Sequence, residues 1–393
     1  MQIKTSAASG GDTQSLIRDA IAAVGESKPS LLVVHMSATQ DAATVQSKLK
    51  DKFGSDVKIH GGTSCLGVMT GAGASLQNGD ALGLALFEDA DGDFGVGLAD
   101  LGDDPRAAAA DAARAALKQA GRVGEAPDLI WLTAAPGAEE AVLAGVEDVV
   151  GSECRIVGGS AADNSISGDW FVFDSAGQAT NGVVVSMMFP SGGCASAYQS
   201  GYAPTETSGI ATRAKGRRVY EIDGAPARSV YADWTEGAVC PATPDEPQNI
   251  LADSTFAPLG RKGAQVADVP FYLLAHPATA HPDDSIEFFA DIAEGEELRL
   301  MSGGVESLTS RAGRVAAQAV DQTEGDVAGA LVIYCGGCML AVQDHMDRVA
   351  EGINQALCGA PFLGVFTFGE QGPVLNYENR HGNLMISCVT FGS

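Results

Sequence analysis

A pair of cysteines separated by two glycines offers the most recognisable chemistry in this chain. Cys335 and Cys338 follow the apolar run LVIY and open a helical pattern. A C-x-x-C pair at the first turn of a helix is typical of redox dithiols, because backbone N–H groups and the helix dipole there lower the pKa of a thiol. The pair could also supply two zinc ligands, but a zinc site needs two more and the chain has no second C-x-x-C. The favoured interpretation is packing, in which both cysteines are small residues in a crowded turn.

Histidines are the other candidates for metal binding or proton transfer. The chain contains His35, His60, His276, His281, His345 and His381. His276 and His281 stand five residues apart beside two prolines, so that both could reach one metal ion. His381 directly follows Arg380 and precedes the last apolar strand pattern. For each histidine taken alone, a surface position or a satisfied hydrogen bond is the favoured interpretation.

Three glycine-containing turns occupy equivalent places after apolar strand patterns. The turns comprise Gly61, Gly62, Thr63 and Ser64; Gly158, Gly159 and Ser160; and residues 364–372, which include Glu370. If the turns meet at one rim, they present backbone N–H and hydroxyl groups around a ligand cavity. Asp163, Asn164 and Glu370 would then be the polar groups that confer specificity. Turn formation alone is the alternative, because the same residue types favour tight turns.

These turns belong to a pattern that recurs along the chain. Residues 30–88, 127–190 and 329–393 each contain an apolar strand pattern, an amphipathic helix pattern, a glycine-containing strand and a return strand. The first strands are the continuous apolar runs LLVVHM, LIWL and LVIY, as expected of strands covered on both faces. We therefore predict an α/β fold of repeated strand-helix-strand-strand units that form helix-covered mixed sheets in two halves. The acidic, proline-rich stretch over 202–270 leads us to place an N-terminal domain of two repeat units at 1–205 and a C-terminal domain at 206–393.

The charge of the chain excludes several classes of partner. Against 24 Lys and Arg stand 50 Asp and Glu, a formal net charge of −26. Phosphate backbones and anionic lipid surfaces would repel such a chain, so we expect no nucleic-acid or membrane partner. No apolar stretch of ~20 residues occurs, and the first residues lack the apolar core of a secretory signal. We expect a soluble, cytoplasmic protein.

Motifs of common enzyme classes are missing from the sequence. The phosphate-binding pattern G-x-x-x-x-G-K-[ST] does not occur. Around Ser64 the second glycine of a G-x-S-x-G elbow falls one position late, at Gly67. We therefore predict that the chain is not an enzyme, with a thiol enzyme or redox switch at Cys335 and Cys338 as the alternative.

Three motifs in order along the chain resemble the FIST family, a sensory module of bacterial signal transduction with an N-terminal and a C-terminal half. IVGGSAADN at 156–164 resembles a hallmark of the N-terminal half, and VYEIDGAPARSVY at 219–231 resembles the junction that opens the C-terminal half. GVFTFGEQGP at 364–373 resembles the hallmark of its end. The resemblance covers nearly the whole chain.

The resemblance implies sensing of a small ligand. Stand-alone members of the family resemble haem-binding nitric-oxide sensors that regulate a histidine kinase or another signalling enzyme in trans, so haem b is the expected cofactor. An amino-acid-like metabolite is the alternative ligand. His381 is the first candidate for the haem iron, because Arg380 could pair with a propionate and Leu384 to Ile386 are apolar; His276, after the apolar run FYLLA, is the second. Cys335 and Cys338 are weaker metal candidates.

Overall fold

Three similar α/β repeats and one inserted subdomain make up the chain. The computed structural model describes residues 1–76, 79–266, 269–374 and 378–393. The first repeat contains β1 (Gln2–Ser9), α1 (Thr13–Val24), β2 (Leu31–Met36), α2 (Ala42–Phe53), β3 (Ile59–Thr63), β4 (Val68–Thr70), β5 (Gly73–Ser75) and β6 (Ala81–Glu88). The second contains β7 (Asp93–Asp100), α3 (Pro105–Ala120), β8 (Leu129–Ala134), α4 (Glu139–Val150), β9 (Ile156–Ser160), β10 (Val172–Phe173), β11 (Gln178–Ala179) and β12 (Gly182–Phe189).

The third repeat is interrupted by the inserted subdomain. It begins with β13 (Cys194–Ser200). The subdomain then follows with β14 (Ala203–Lys215), β15 (Arg218–Ile222), β16 (Ala225–Pro226), α5 (Ala227–Trp234), β17 (Gln248–Asn249), α6 (Leu251–Ser254), β18 (Leu259–Val266), β19 (Val269–Ala275), β20 (Pro277–Ala280), β21 (Ile286–Phe288) and β22 (Glu297–Ser302). The repeat resumes with α7 (Val305–Val320), β23 (Val327–Cys335), α8 (Gly336–Ala341), α9 (Met346–Ala356), β24 (Phe362–Thr367), β25 (Glu370–Pro373), β26 (Asn379–Gly382) and β27 (Met385–Gly392). The boundary expected between residues 205 and 206 falls inside β14.

Each repeat builds the same four-stranded core of a mixed sheet. The strand orders are β1-β6-β2-β3, β7-β12-β8-β9 and β13-β27-β23-β24. In every repeat the last two strands of that order run parallel, and the other neighbours are antiparallel. A helical crossover joins the parallel pair, as parallel strands require. The prediction of repeated strand-helix-strand-strand units in mixed sheets is confirmed.

A hairpin from a different repeat extends each of these sheets. β10 and β11 of the second repeat continue the first sheet, and β25 and β26 of the third repeat continue the second. β4 and β5 of the first repeat continue the third sheet. The three exchanges form a closed ring, so every repeat both gives a hairpin to another repeat and receives one.

A shared core lies where the inner faces of the three sheets meet. Leu31, Trp131 and Leu331, one from each repeat, are buried there with Phe87 and Phe391. Helices cover the outer faces: α1 and α2, then α3 and α4, then α7 to α9. The continuous apolar runs of the sequence are therefore strands buried on both faces.

Side-chain caps help to set where the first helices begin. The carboxylates of Asp12, Asp41 and Asp104 accept hydrogen bonds from the backbone N–H groups three residues later, at the starts of α1, α2 and α3. Such caps satisfy N–H groups that have no partner inside the helix.

The inserted subdomain has its own core, which includes Ala211, Tyr231 and Phe288. Its strands are arranged in the order β17-β20-β21-β15-β14-β22-β18-β19. Within the described residues, no helix is long and apolar enough to cross a membrane.

Candidate functional site

The three predicted glycine turns do lie together, at the carboxyl ends of β3, β9 and β24. The backbone N–H of Ala162 donates to the carbonyl oxygen of Thr63 at 3.1 Å, and that of Ser160 donates to Gly369 at 2.7 Å. The N–H of Cys65 donates to Phe366 at 3.0 Å, which closes the contact between the first and third repeats. The ends of the three equivalent strands therefore meet because the repeats form a ring.

The hydroxyl groups of these turns form hydrogen bonds with neighbouring groups of the protein. The Ser64 hydroxyl donates to the carbonyl oxygen of Gly67 at 2.5 Å and accepts from the N–H of Phe366 at 2.8 Å. The Ser160 hydroxyl donates to Glu139 at 2.7 Å, and that of Thr63 accepts from the N–H of Phe171 at 3.2 Å. Gly61 with Gly62 and Gly158 with Gly159 pair with the exchanged hairpins. These residues therefore connect the repeats to one another.

Asp163 and Asn164 organise the loop that follows β9. The Asp163 carboxylate accepts backbone N–H groups from five residues of the loop, Ser165 to Asp169. Although burial opposes this, those hydrogen bonds lower the pKa of Asp163. Asn164 accepts from the N–H of Leu66 at 2.9 Å and donates to Gly79 at 3.0 Å. Both side chains, expected to select a ligand, are engaged in holding the loop in place.

Glu370 is a fully buried carboxyl group in the third repeat. It accepts the Thr367 hydroxyl at 2.8 Å and the N–H of Met385 at 2.9 Å. Burial, followed by the proximity of Cys335, raises its pKa well above the ordinary value. Burial and the nearby Cys335 thiol therefore both favour the uncharged form of Glu370.

A cavity of about 340 Å³ opens between the inserted subdomain, the third repeat and the loop that follows β9. We call it the apolar cavity; it is lined by Ile166, Asn249, Leu251, Ala252, Thr255, Phe256, His276, Phe289, Cys335, Gly337, Leu340, Ala341, Phe368 and Asn383. None of these described lining residues is Asp, Glu, Lys or Arg. Three large apolar side chains at the cavity are strongly exposed: Ile166 at 42%, Phe256 at 37% and Leu340 at 45%. Exposed apolar side chains around a concave apolar site are typical of a ligand site.

His276 contributes a neutral imidazole to the wall of the apolar cavity. Burial lowers its pKa to about 4, so the ring is uncharged at neutral pH. Its Nε2 lies 3.0 Å from the carbonyl oxygen of Leu251 and must donate to it, which leaves Nδ1 as an acceptor. The backbone N–H of His276 donates to the side chain of Asn383 at 3.1 Å, across the junction of subdomain and repeat.

Of the two cysteines, Cys335 lines the apolar cavity and Cys338 is buried behind it. Both are free thiols. Burial raises the pKa of Cys335 well above the ordinary value, and the nearby Cys338 raises it further. The lowered thiol pKa that the redox alternative would require is therefore not found at Cys335. The turn does open a helix as predicted, but α8 has only six residues, so its few N–H groups cannot offset the desolvation.

His381 lies elsewhere, at a wide cleft of about 940 Å³ between α4 and the inserted subdomain. We call it the acidic cleft, because its lining contains Glu140, Glu147, Asp291, Glu294, Glu296 and Glu378, with Arg261 and Arg380. Both ring nitrogens of His381 have partners: Nδ1 meets the Gln371 amide at 3.2 Å, and Nε2 meets the Phe289 carbonyl at 3.1 Å. Arg380 pairs with Glu378 at 2.6 Å. Both nitrogens of the His381 ring and the Arg380 guanidinium are thus engaged by neighbouring groups of the protein.

In the part of the chain that the structure describes, no group of three or more His, Cys, Asp and Glu side chains is placed to hold a metal ion. The sequence analysis named His276 and Cys335 as candidate site residues, and both line the apolar cavity. It did not identify most of the other lining residues. Leu251, Phe256, Phe289 and Asn383 come from loops and short elements whose spacing carries no signal, because the subdomain and the third repeat bring them together only after folding.

Individual proteins that resemble the chain do so at low sequence identity. Two uncharacterized proteins, one from Mycobacterium bovis and one from Mycobacterium tuberculosis, are each 28% identical to the chain over 239 residues, which are 58% of this chain and 58% of each relative. The match therefore spans little more than half the length of these curated relatives. A solved cyanuric acid hydrolase from A. caulinodans aligns with 100% of this chain and 99% of its own, at 11% identity and a TM-score of 0.37. PurLQS from Thermotoga maritima covers 76% of this chain and 72% of its own, at 9% identity and a TM-score of 0.24.

Domain families match a larger part of the chain than the two mycobacterial relatives do. The FIST N domain matches residues 30–225, and the FIST C domain matches residues 227–373. FIST domains are sensory domains for small ligands in signalling proteins. With both halves present in order, the chain belongs to the FIST family.

Proposed function

We propose that this FIST protein senses a small, uncharged and largely apolar ligand, which binds in the apolar cavity. The absence of Asp, Glu, Lys and Arg from the described lining is the observation that supports this choice. A charged ligand would lose its hydration there without gaining a counter-ion. The neutral His276 ring and the side-chain NH2 group of Asn249 supply the few polar contacts that fix orientation in such sites.

The position of the cavity supports a signalling role. Leu251 and His276 come from the inserted subdomain, whereas Cys335 and Leu340 come from the third repeat. A ligand that contacts both the inserted subdomain and the third repeat favours the conformation in which the two are close together. The size of the shift depends on how much more tightly the ligand binds that conformation than a more open one. We propose that a histidine kinase or another signalling enzyme reads this change in trans, in the cytoplasm.

An amino-acid-like ligand fits the apolar cavity poorly. Its ammonium and carboxylate groups need counter-charges, and the described lining offers none. The acidic cleft does offer both signs of charge, at its six carboxylates and at Arg261 and Arg380. The uncharged ligand is therefore the first choice for the apolar cavity.

Binding of a neutral fluorescent probe tests the proposal. N-phenyl-1-naphthylamine should bind saturably, and Ala341→Phe, which fills the cavity from α8, should weaken binding by about tenfold or more, equivalent to about 1.4 kcal/mol. Ala43→Phe on the exposed face of α2 is the matched control and should bind the probe like the wild type. Equal affinities for the wild type and Ala341→Phe, with both variants folded by circular dichroism, would contradict the proposal.

Haem sensing of nitric oxide is the second candidate, and the neutral imidazole of His276 on an apolar wall is the observation that favours it. Bound haem would supply an iron that takes up nitric oxide, with His276 as its protein ligand. The fit is incomplete, because no described residue of the lining is a cation that could pair with the propionates.

A haem titration separates the two histidines proposed as ligands. If haem binds here, His276→Ala should abolish the shift of the Soret band on addition of ferric haem, and His381→Ala should leave the shift unchanged. An unshifted Soret band with the wild type, or equal binding by all histidine variants, would argue against haem as the ligand.

A further inference from the structure

Two neighbouring thiols, those of Cys335 and Cys338, have no role in the proposed ligand binding. Cys335 is at the wall of the apolar cavity and only 4% exposed, and Cys338 is completely buried behind it. The two thiol groups interact with each other directly. The position that a Cβ of Gly337 would take lies 3.7 Å from Cys335 Sγ, so the turn brings its backbone close to the sulfur. One thiol is thus reachable from the cavity and the other is reachable only through the first.

From this geometry we infer that Cys335 and Cys338 are a reversible dithiol–disulfide site, oxidised by small uncharged disulfides that enter the apolar cavity. The spacing of two residues between the cysteines allows a disulfide inside one turn, as in redox C-x-x-C motifs. The inference goes beyond the proposed ligand binding and does not depend on it.

The reaction balances as two successive thiol–disulfide exchanges. The Cys335 sulfur attacks one sulfur of the small disulfide, and a new S–S bond forms while the bond in the small molecule breaks. The first leaving thiolate takes up the proton lost by Cys335. The Cys338 sulfur then attacks Cys335 Sγ, and the second small thiol leaves with the proton of Cys338. Two protein thiols are oxidised to one disulfide, and one small disulfide is reduced to two small thiols.

The surroundings of Cys335 predict slow exchange. Burial holds the thiol protonated, and the groups near it are Glu370, Cys338, Cys65, Tyr198, Tyr202 and Tyr334. The Tyr202 hydroxyl also lies 3.6 Å from Cys338 Sγ. Only the thiolate attacks, so a thiol held neutral reacts slowly even where a disulfide is stable at equilibrium. The test therefore measures the state reached at equilibrium.

The experiment equilibrates the full chain in buffers of 2-mercaptoethanol and its uncharged disulfide at increasing oxidised fraction, with acid quenching, alkylation of remaining thiols and peptide mass spectrometry. The wild type should lose two hydrogens, about 2 Da, at Cys335 and Cys338 together, with full recovery on reduction. Cys338→Ser should accumulate a mixed disulfide with 2-mercaptoethanol at Cys335. Cys335→Ser should leave Cys338 unmodified, because Cys338 is not exposed. Cys358, the exposed cysteine, reports in every sample that the buffer is active.

Retention of both thiols under conditions that modify Cys358 would overturn the inference. A disulfide between Cys335 and Cys65, whose Cβ lies 3.4 Å from the position of a Cβ on Gly336, would overturn the assignment of the partner. Neither outcome involves the probe or haem, so failure of this inference and failure of the proposed function are distinguished.

Discussion

Buried ionisable side chains in this protein differ in whether they have partners. His60 lies between the hydroxyls of Ser186 at 2.8 Å and Thr133 at 2.9 Å. In contrast, both ring nitrogens of His35 lack a hydrogen-bond partner among the described residues, although the side chain is only 1% exposed. A buried imidazole without hydrogen bonds lowers the free energy of unfolding, because it has lost its hydrogen bonds to water and gained none from the protein.

We predict that His35 makes the fold sensitive to acid. Burial lowers its pKa to about 3 from the ordinary value of 6.5, which the unfolded chain retains. As the pH falls below about 6.5, the unfolded chain takes up a proton that the folded chain does not, so the free energy of unfolding decreases until the pH nears 3. His35→Leu should reduce the slope by up to about 1.4 kcal/mol per pH unit in that window, and it should leave stability above pH 7 no lower.

Urea unfolding at several pH values measures this slope. Gln343→Leu, at an exposed position without a titratable group, serves as the control and should keep the slope of the wild type. A His35→Leu variant with an unchanged slope would show that the imidazole has a partner or becomes protonated in the folded state.

At the scale of elements, the packing of the exchanged hairpins against the sheets depends on glycine. A Cβ on Gly61 of β3 would lie 2.2 Å from the Phe173 ring of β10, and a Cβ on Gly364 of β24 would lie 2.4 Å from the Met69 side chain of β4. In both repeats, glycine therefore makes room for a side chain of the hairpin that the other repeat supplies. This explains why the glycine-containing strands recur in the sequence.

Gly61→Ala should destabilise the protein by about 1–3 kcal/mol, because the methyl group overlaps the Phe173 ring. The double variant Gly61→Ala with Phe173→Leu should regain part of that loss. Gly177→Ala, in the turn after β10, has its nearest contact at 3.7 Å and should change stability by less than about 0.5 kcal/mol. Chemical denaturation provides the comparison, and equal stability of the two single variants would refute the role given to Gly61.

At the scale of the whole molecule, a buried ion pair fixes the inserted subdomain to the second repeat. Arg217, between β14 and β15, donates to Glu139 at 2.6 Å and to Glu140 at 3.2 Å, at the start of α4. Glu139 is only 2% exposed and also accepts from Ser160. Burial alone would raise the pKa of Glu139, but His381, Arg217 and these hydrogen bonds lower it to about 2.

Arg217→Ala should lower the free energy of unfolding by about 3–5 kcal/mol, because it leaves the Glu139 carboxylate buried without its cation. Adding Glu139→Gln should recover much of the loss. Arg213→Ala removes an exposed pair with Glu221 in the same subdomain and should cost less than about 1 kcal/mol. If Arg217→Ala and Arg213→Ala cost the same, the Arg217 pair is not what secures the subdomain.

The sequence by itself determined the repeats, because strand and helix periods are local properties of the chain. It also placed the glycine turns at equivalent strand ends and Cys335 with Cys338 at the start of a helix. Three motifs sufficed to predict the FIST family. Each of these features depends on neighbouring residues or on order along the chain.

The tertiary structure alone decided the exchange of hairpins, the cavity and the charge states. Which strand a hairpin such as β25–β26 joins depends on long-range pairing that a local pattern does not record. The apolar cavity takes Ile166, Phe256 and Leu340 from distant parts of the chain. The pKa of Cys335 is set by the groups that cover it, since the cost of desolvation outweighs a short helix, and no spacing of residues specifies what will cover a side chain after folding.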